Sequence, residues 1–421
     1  MSAEWEETTL ADVSSEVSYG YTESASDKKV GPRFLRITDI QNGVVNWSNV
    51  PYCPISKADH GKYRLQSGDI VVARTGNSTG ENFLYQGIED AVFASYLIRF
   101  RINPEEADPT FIWYNLRSKR WWNFINSSKT GSAQPCANAK VLGQFSVSLP
   151  SLTEQKSIAQ ILASLDDKIE LNRRMNETLE ALVQSLFKSW FVDFDAVRAD
   201  GGHFQDSAIG PIPKGWKVER FDKHISADRG LSYKGDGLRD DGTGLPMHNL
   251  NSVYEGGGYK HEGIKYYAGE YGERHLLQPG DMIVTNTEQG FDHLLIGHAA
   301  IVPKRYGTKG LFSHHIYRVR HKPTSPFSPH YLVELFNNRR WHYWISGFSN
   351  GTTINMLPKD ALEMPLLVVP PDELVKKFTA LAEAVHTKIE ANLEESRMLA
   401  ALRDALLPKL LSGELRVPIK N

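Results

Sequence analysis

Short runs in which apolar and polar residues alternate recur along the chain, bounded by Gly, Asn and Asp. GDIVV at 68–72 and LIRFRI at 97–102 have later counterparts in GDMIV at 280–284 and IYRVR at 316–320. Such runs between turn formers predict β-strands. Two longer stretches, FIWYNLRSKRWWNF at 111–124 and YLVELFNNRRWHYW at 331–344, have helical spacing and predict helices. A third pattern has a period of seven. It places Ile158, Leu165, Leu179 and Leu186 on one row with Asn172 at its centre, and Leu162, Ile169 and Val183 on a second row. The later copy places Phe378, Val385, Leu399 and Leu406 around Asn392. Apolar heptads of this length predict coiled-coil helices. Ser151 and Glu154 form a capping-box signature at the first helix, and Asp372 is a candidate N-cap for the second. Pro408 and then Gly413 are expected to end the second helix.

These words recur in the same order. FASYLIRFR at 93–101 returns as FSHHIYRVR at 312–320, Pro109 to Trp121 returns as Pro329 to Trp341, and Lys168-Ile169-Glu170 returns as Lys388-Ile389-Glu390. Collinear repetition at long period indicates internal duplication. The predicted class is α+β: two similar globular domains of mixed strands and helices, at 1–150 and 201–370, joined by two long helices. The helices occupy 151–200, with a linker, and 371–421. A helix with one apolar seam needs a partner, and the simplest is its duplicate. If the pair is antiparallel, Asn172 and Asn392 face each other and fix the register.

Composition changes this picture little. Lys plus Arg is 48 and Asp plus Glu is 50, a net charge of -2, so charge alone does not announce nucleic acid. The stretch 151–200 holds 6 Lys/Arg against 9 Asp/Glu, which disfavours laying the helix along a phosphate backbone. The two cysteines, Cys53 and Cys136, are too few and too far apart for a zinc ribbon or a disulfide framework. The acidic start lacks an apolar leader and no apolar run approaches a membrane span, so a cytoplasmic location is expected. The sequence contains no Asp/Asn-Pro-Pro-aromatic methyltransferase motif, no Walker A and no His-Glu-x-x-His. The histidines show no convergent metal spacing, so no metal site is expected.

The stretch LPSLTEQKSIAQILASLDDKIELNRRMNETLEALVQSLFKSWF at 149–191 resembles the central region of the specificity (S, or HsdS) subunits of type I restriction-modification enzymes. GSAQ at 131–134 and QFSVSLPSLTEQ at 144–155 resemble the same family's join between target recognition domain and helix. The second helix departs from the pattern, having no Glu-Gln pair after its prolines. The resemblance implies that each target recognition domain reads one half of a split double-stranded DNA site, while the helices set the spacer. It implies two modification subunits that methylate adenine with S-adenosylmethionine, and restriction subunits that cleave with ATP and magnesium. The S subunit itself then carries no cofactor and no catalytic residue. An enzyme with an unrecognised site and a DNA-binding regulator without enzyme partners stand as alternatives.

Under that reading, DNA contact falls on loops with readout chemistry. The loop after the GDIVV strand offers Arg74, Thr75, Asn77 and Ser78, and its copy offers Asn286, Thr287 and Gln289. A second loop offers Gln134, with Thr352 in the copy. Lys57, Lys62 and Arg64, with Lys304 and Arg305 in the later domain, are phosphate-neutralising candidates. Trp190, Phe191 and Phe194 at the end of the first helix are candidates for a partner interface, with packing at the helix–domain joint as the alternative. Between 68 and 109 the later copy gains eight residues, which predicts related folds that read different sequences.

Overall fold

The computed structural model describes residues 5–128, 137–290, 292–351 and 354–417. They divide into two units, Met1–Leu171 with Glu395–Asn421, and Asn172–Glu394. This differs from the four consecutive segments predicted above. Each long helix, Leu152–Phe187 and Asp372–Leu411, is divided near its middle and gives one end to each unit.

The first unit is built on a four-stranded antiparallel sheet in the order Ser14–Tyr19, Leu97–Ile102, Asp69–Ala73, Asn82–Leu84. Of the two central strands, Asp69–Ala73 reads as a nearly continuous apolar run because both faces are covered, while Leu97–Ile102 alternates with Arg99 and Arg101. Ile70, Val72, Ile98 and Phe100 enter one core cluster, while Val71, Ala73 and Leu97 enter another, as the two-residue period of a strand requires. Beside it, Arg33–Leu35 pairs in parallel with Ala91–Phe93. Glu6–Thr9 pairs with Ser146–Leu149, the strand that leads into the first long helix. Asp108 caps the helix Pro109–Asn115, its carboxylate accepting from the Phe111 N–H at 2.9 Å. Ile158 and Leu162 from one long helix and Leu410 from the other complete the core.

The second unit repeats this plan. Its sheet runs Ile225–Arg229, Ile316–His321, Met282–Thr285, Ala299–Ile301, again antiparallel throughout. Leu245–His248 pairs in parallel with Gly310–Phe312, and Lys217–Arg220 pairs with Leu366–Val369. The copies share two packing devices. A Cβ on Gly20 would lie 2.2 Å from the Ala94 carbonyl oxygen, and one on Gly230 would lie 2.2 Å from that of Ser313. Two chain segments touch there, so only glycine fits. The repeated arginines are internal ties. Arg101 grips Asp69 at 2.8 and 2.9 Å, and Arg320 grips Asp281 at 2.9 and 2.9 Å. Buried Arg99 reaches Glu16, and Arg318 reaches Asp228 at 2.6 Å.

In each unit the helix ends run antiparallel. In the first, Lys168 pairs with Glu395 at 3.1 Å, Asp166 with Arg403, and Glu154 with Arg416 at 2.7 Å. In the second, the Phe187 ring meets that of Phe378 at 5.5 Å. The capping box at Ser151 is half formed. The Glu154 N–H donates to Ser151 Oγ at 3.4 Å, but its carboxylate turns to Arg416. Asp372 is the first helical residue rather than a side-chain cap, and Pro408 lies inside the second helix, which ends at Leu411 before Gly413 at φ +73°. Among the described residues no helix is long and apolar enough to cross a membrane.

The first long helix closes with a π-turn, Lys188–Val192, and Phe194 takes the left-handed conformation at φ +58°. The widened turn aims the aromatic run inward. Phe191 meets Tyr331 at 5.0 Å and Phe378 at 5.3 Å, and Phe194 meets Trp216 at 5.3 Å. Phe191 and Phe194 are buried, so for them the partner-interface expectation gives way to its alternative, packing at the joint. Trp190 is half-buried against Phe191 and Phe378, with the Lys377 ammonium 5.6 Å above its ring.

Candidate nucleic-acid interface

At one end of each four-stranded sheet, a strand end, a loop and a turn come together. In the first unit the loop follows Asp69–Ala73. Arg74 is half-buried, with Nε donating to the Ser95 carbonyl at 3.1 Å and the guanidinium 5.2 Å over the Tyr19 ring. Both contacts hold the fork in place, and its Nη groups make no hydrogen bond among the described residues. Gly76 turns the chain at φ +69°, and Thr79 Oγ1 closes the turn on the Gly76 carbonyl at 2.7 Å. Asn77 is left exposed at the tip, with Thr75 and Ser78 half-buried on either side.

The second copy is longer, 286–298 against 74–81, and its polar side chains are used differently. Asn286 and Thr287 are buried. Asn286 Nδ2 donates to the His314 carbonyl at 3.0 Å, and Thr287 Oγ1 lies 3.0 Å from His315 Nδ1. The Glu288 carboxylate accepts from the N–H groups of Leu294, Leu295 and Ile296 at 2.9, 3.1 and 2.9 Å. The expectation that Asn286 and Thr287 face DNA is therefore corrected. Their polar atoms brace the loop, a use open to short polar side chains near backbone. Gln289 is exposed beyond them.

The cationic candidates belong to other elements. Lys57, Lys62 and Arg64 are exposed on or just after the helix Lys57–Tyr63, capped by Ser56, and Arg64 is paired with Asp90 at 3.2 Å. Tyr63 packs this helix against Tyr21 at 5.1 Å. Lys304 and Arg305 are exposed and line a cleft together with Glu390 and Glu394. Gln134 and Thr352 lie outside the described residues.

Away from this surface, the register residues do meet. Asn172 and Asn392 are buried; Asn172 Nδ2 donates to the Asn392 carbonyl at 3.4 Å. Asn392 Nδ2 donates to Asn176 Oδ1 at 2.8 Å, a third amide that heptad counting passed over. Sequence reasoning also missed Tyr19, Tyr96, Arg229 and His315, which border the two loops. Only superposing the repeats at Gly20 and Gly230 would have found them.

The chain matches the family model described as "Type I restriction modification DNA specificity domain" over residues 2–181. The specificity subunit of the type I restriction enzyme MjaIX of Methanocaldococcus jannaschii is 24% identical over 365 residues, covering 84% of this chain and 76% of that protein. The HindI specificity subunit of Haemophilus influenzae is 29% identical over 212 residues, 48% of this chain and 44% of its own length. In fold, the chain is similar to the crystal structure of the type I restriction-modification system S subunit from M. genitalium. The TM-score is 0.61 at 13% identity, with 97% of each chain covered.

Proposed function

We propose, for a chain that belongs to the specificity subunits of type I restriction-modification systems, that each unit reads one half of an asymmetric, split DNA site. The observation that carries this reading is one sheet plan built twice in a single chain, with unlike loops at the same sheet end. A shared frame presents the two readers alike, and different loops give them different preferences. In the first unit Arg74, Thr75, Asn77 and Ser78 form the reading loop; in the second it is reduced to Gln289 at the tip. Gln134 and Thr352 serve as further readers, and Lys57 and Lys62 as phosphate contacts.

The long helices, which run from one unit into the other, set the unread spacer and dock two modification subunits that methylate adenine with S-adenosylmethionine. Restriction subunits supply ATP- and magnesium-dependent cleavage. The chain itself contributes recognition and no catalysis, in the cytoplasm.

Methyl-adenine mapping with the modification subunits present tests this. The expected result is two unlike blocks separated by a fixed number of unread base pairs; a perfect palindrome or a single block rejects it. Inserting one heptad into each helix adds ~10.5 Å at ~1.5 Å per residue. The seam survives, because a heptad turns the face by only ~20°. The spacer should lengthen by about three base pairs at ~3.4 Å each, with both blocks unchanged. Altered blocks with an unaltered spacer would reject the ruler role.

A further inference from the structure

We propose that Arg229 is the guanine-reading residue of the second unit, replacing an arginine that the first unit presents from the loop after a different strand. The inference rests on the DNA-reading function proposed above and adds to it one residue and one base.

The alignment comes from contacts rather than from sequence words. A Cβ on Gly20 would meet the carbonyl oxygens of Ala94 at 2.2 Å and Phe93 at 2.4 Å; one on Gly230 would meet those of Ser313 at 2.2 Å and Phe312 at 2.4 Å. Tyr19 therefore corresponds to Arg229, and Ser95-Tyr96 to His314-His315. The loops agree independently: the Arg74 N–H donates to the Tyr96 carbonyl at 3.0 Å, and the Asn286 N–H to the His315 carbonyl at 3.1 Å. The same sheet end thus carries Tyr19, Arg74 and Tyr96 in one unit and Arg229, Asn286 and His315 in the other.

The first unit presents its guanidinium from the loop, over an aromatic ring at the strand end. In the second unit Asn286 is buried and its amide is bonded to His314, so that position presents nothing outward. The arginine stands instead at the strand end, where Arg229 is exposed. Among the described residues its guanidinium has one hydrogen-bond contact, 3.8 Å to Met356 Sδ, a weak acceptor. Its neighbour Asp228 points to the other face of the strand and is held by Arg318 at 2.6 Å, so it does not neutralise Arg229. An unquenched guanidinium fork suits guanine O6 and N7, which accept two parallel N–H donors in the major groove.

The test uses the full chain with its modification subunits and compares wild type, Arg229→Ala and Arg229→Lys on randomised DNA. The expected result is that both variants lose preference for one guanine in the second block, by on the order of tenfold to a hundredfold. The first block stays unchanged and reports correct folding. Lysine keeps the charge but lacks the fork, so Arg229→Lys should retain the wild-type salt dependence. An unchanged second block overturns the proposal. So does an affinity loss equal across all sequences with a salt slope lower by about one, the mark of a phosphate contact. Failure of the wild type to select any split site overturns the functional reading beneath it, and is distinguishable because no variant is needed to see it.

Discussion

Three amides, of Asn172, Asn176 and Asn392, are buried in the seam between two helix ends of the second unit. Burial makes each of them dependent on its hydrogen bonds. Replacing Asn392 with Leu leaves Asn176 Oδ1 without the donor it has at 2.8 Å, and a buried unsatisfied acceptor costs about 1–3 kcal/mol. We expect Asn392→Leu to lower the unfolding free energy by that amount, read from a lowered denaturant midpoint at unchanged slope. Leu at all three positions should recover stability relative to the single variant while loosening register, because the bonded amides Asn176 and Asn392 are then removed together. A single variant as stable as wild type would contradict this. Asn172 and Asn392 were legible in the sequence because each interrupts an apolar row at its midpoint. Asn176 was legible on the same ground, since it interrupts the second row between Ile169 and Val183, but the count of that row stepped over it. The readout residues were legible only as polar residues after a strand. Asn77 and Asn286 look alike in sequence, yet one is exposed and the other bonded inward to His314, because a turn's side-chain direction depends on what packs beneath it.

At the scale of elements, the strands and long helices were legible from periodicity, but the strand order was not. Ser14–Tyr19 pairs with Leu97–Ile102 across some eighty residues, and no local pattern encodes that distance. Pro408 was read as a stop, yet the helix runs three residues past it. Leu410 and Leu411 are buried in the first unit's core, and that packing outweighs one missing backbone N–H in the last turn. The close approach at Gly20 and Gly230 makes a matched pair of tests. Alanine at either site places a methyl against backbone oxygen, which cannot swing aside as a side chain does. Each substitution should destabilise its own unit by about 1–3 kcal/mol, seen as lost hydrogen-exchange protection confined to that unit's sheet. Equal loss in both units after one substitution would show that they do not unfold separately.

Across the whole molecule, histidine is unevenly distributed: twelve of the fourteen lie between 203 and 342. Burial pushes His248, His298 and His330 down to about 4, with His342 adding to the effect at His298 and His386 at His330. The folded state keeps these rings neutral while the unfolded chain protonates them near its ordinary value of about 6.5. Above that pH they contribute no pH dependence. As pH falls from about 6.5 towards 4 the unfolded state binds more protons, and stability drops by on the order of a few kcal/mol for each ring. All three lie in the second unit. Hydrogen exchange followed by mass spectrometry at falling pH should therefore show Asn172–Glu394 losing protection first. Simultaneous loss throughout the chain would contradict the assignment.

The division of each long helix between the two units also sets a timetable for synthesis. Glu154 waits for Arg416, 262 residues later in the chain, and the core around Ile158 waits for Leu410. Residues 172–394, by contrast, hold everything the second unit contains. On the ribosome the N-terminal unit is therefore begun first and finished last. During that interval the apolar seam at 152–171 has been made but lacks its mate, leaving sticky surface on a nascent chain. Slower translation through the second half of the message lengthens that exposure, and a chaperone that covers the waiting helix shortens it.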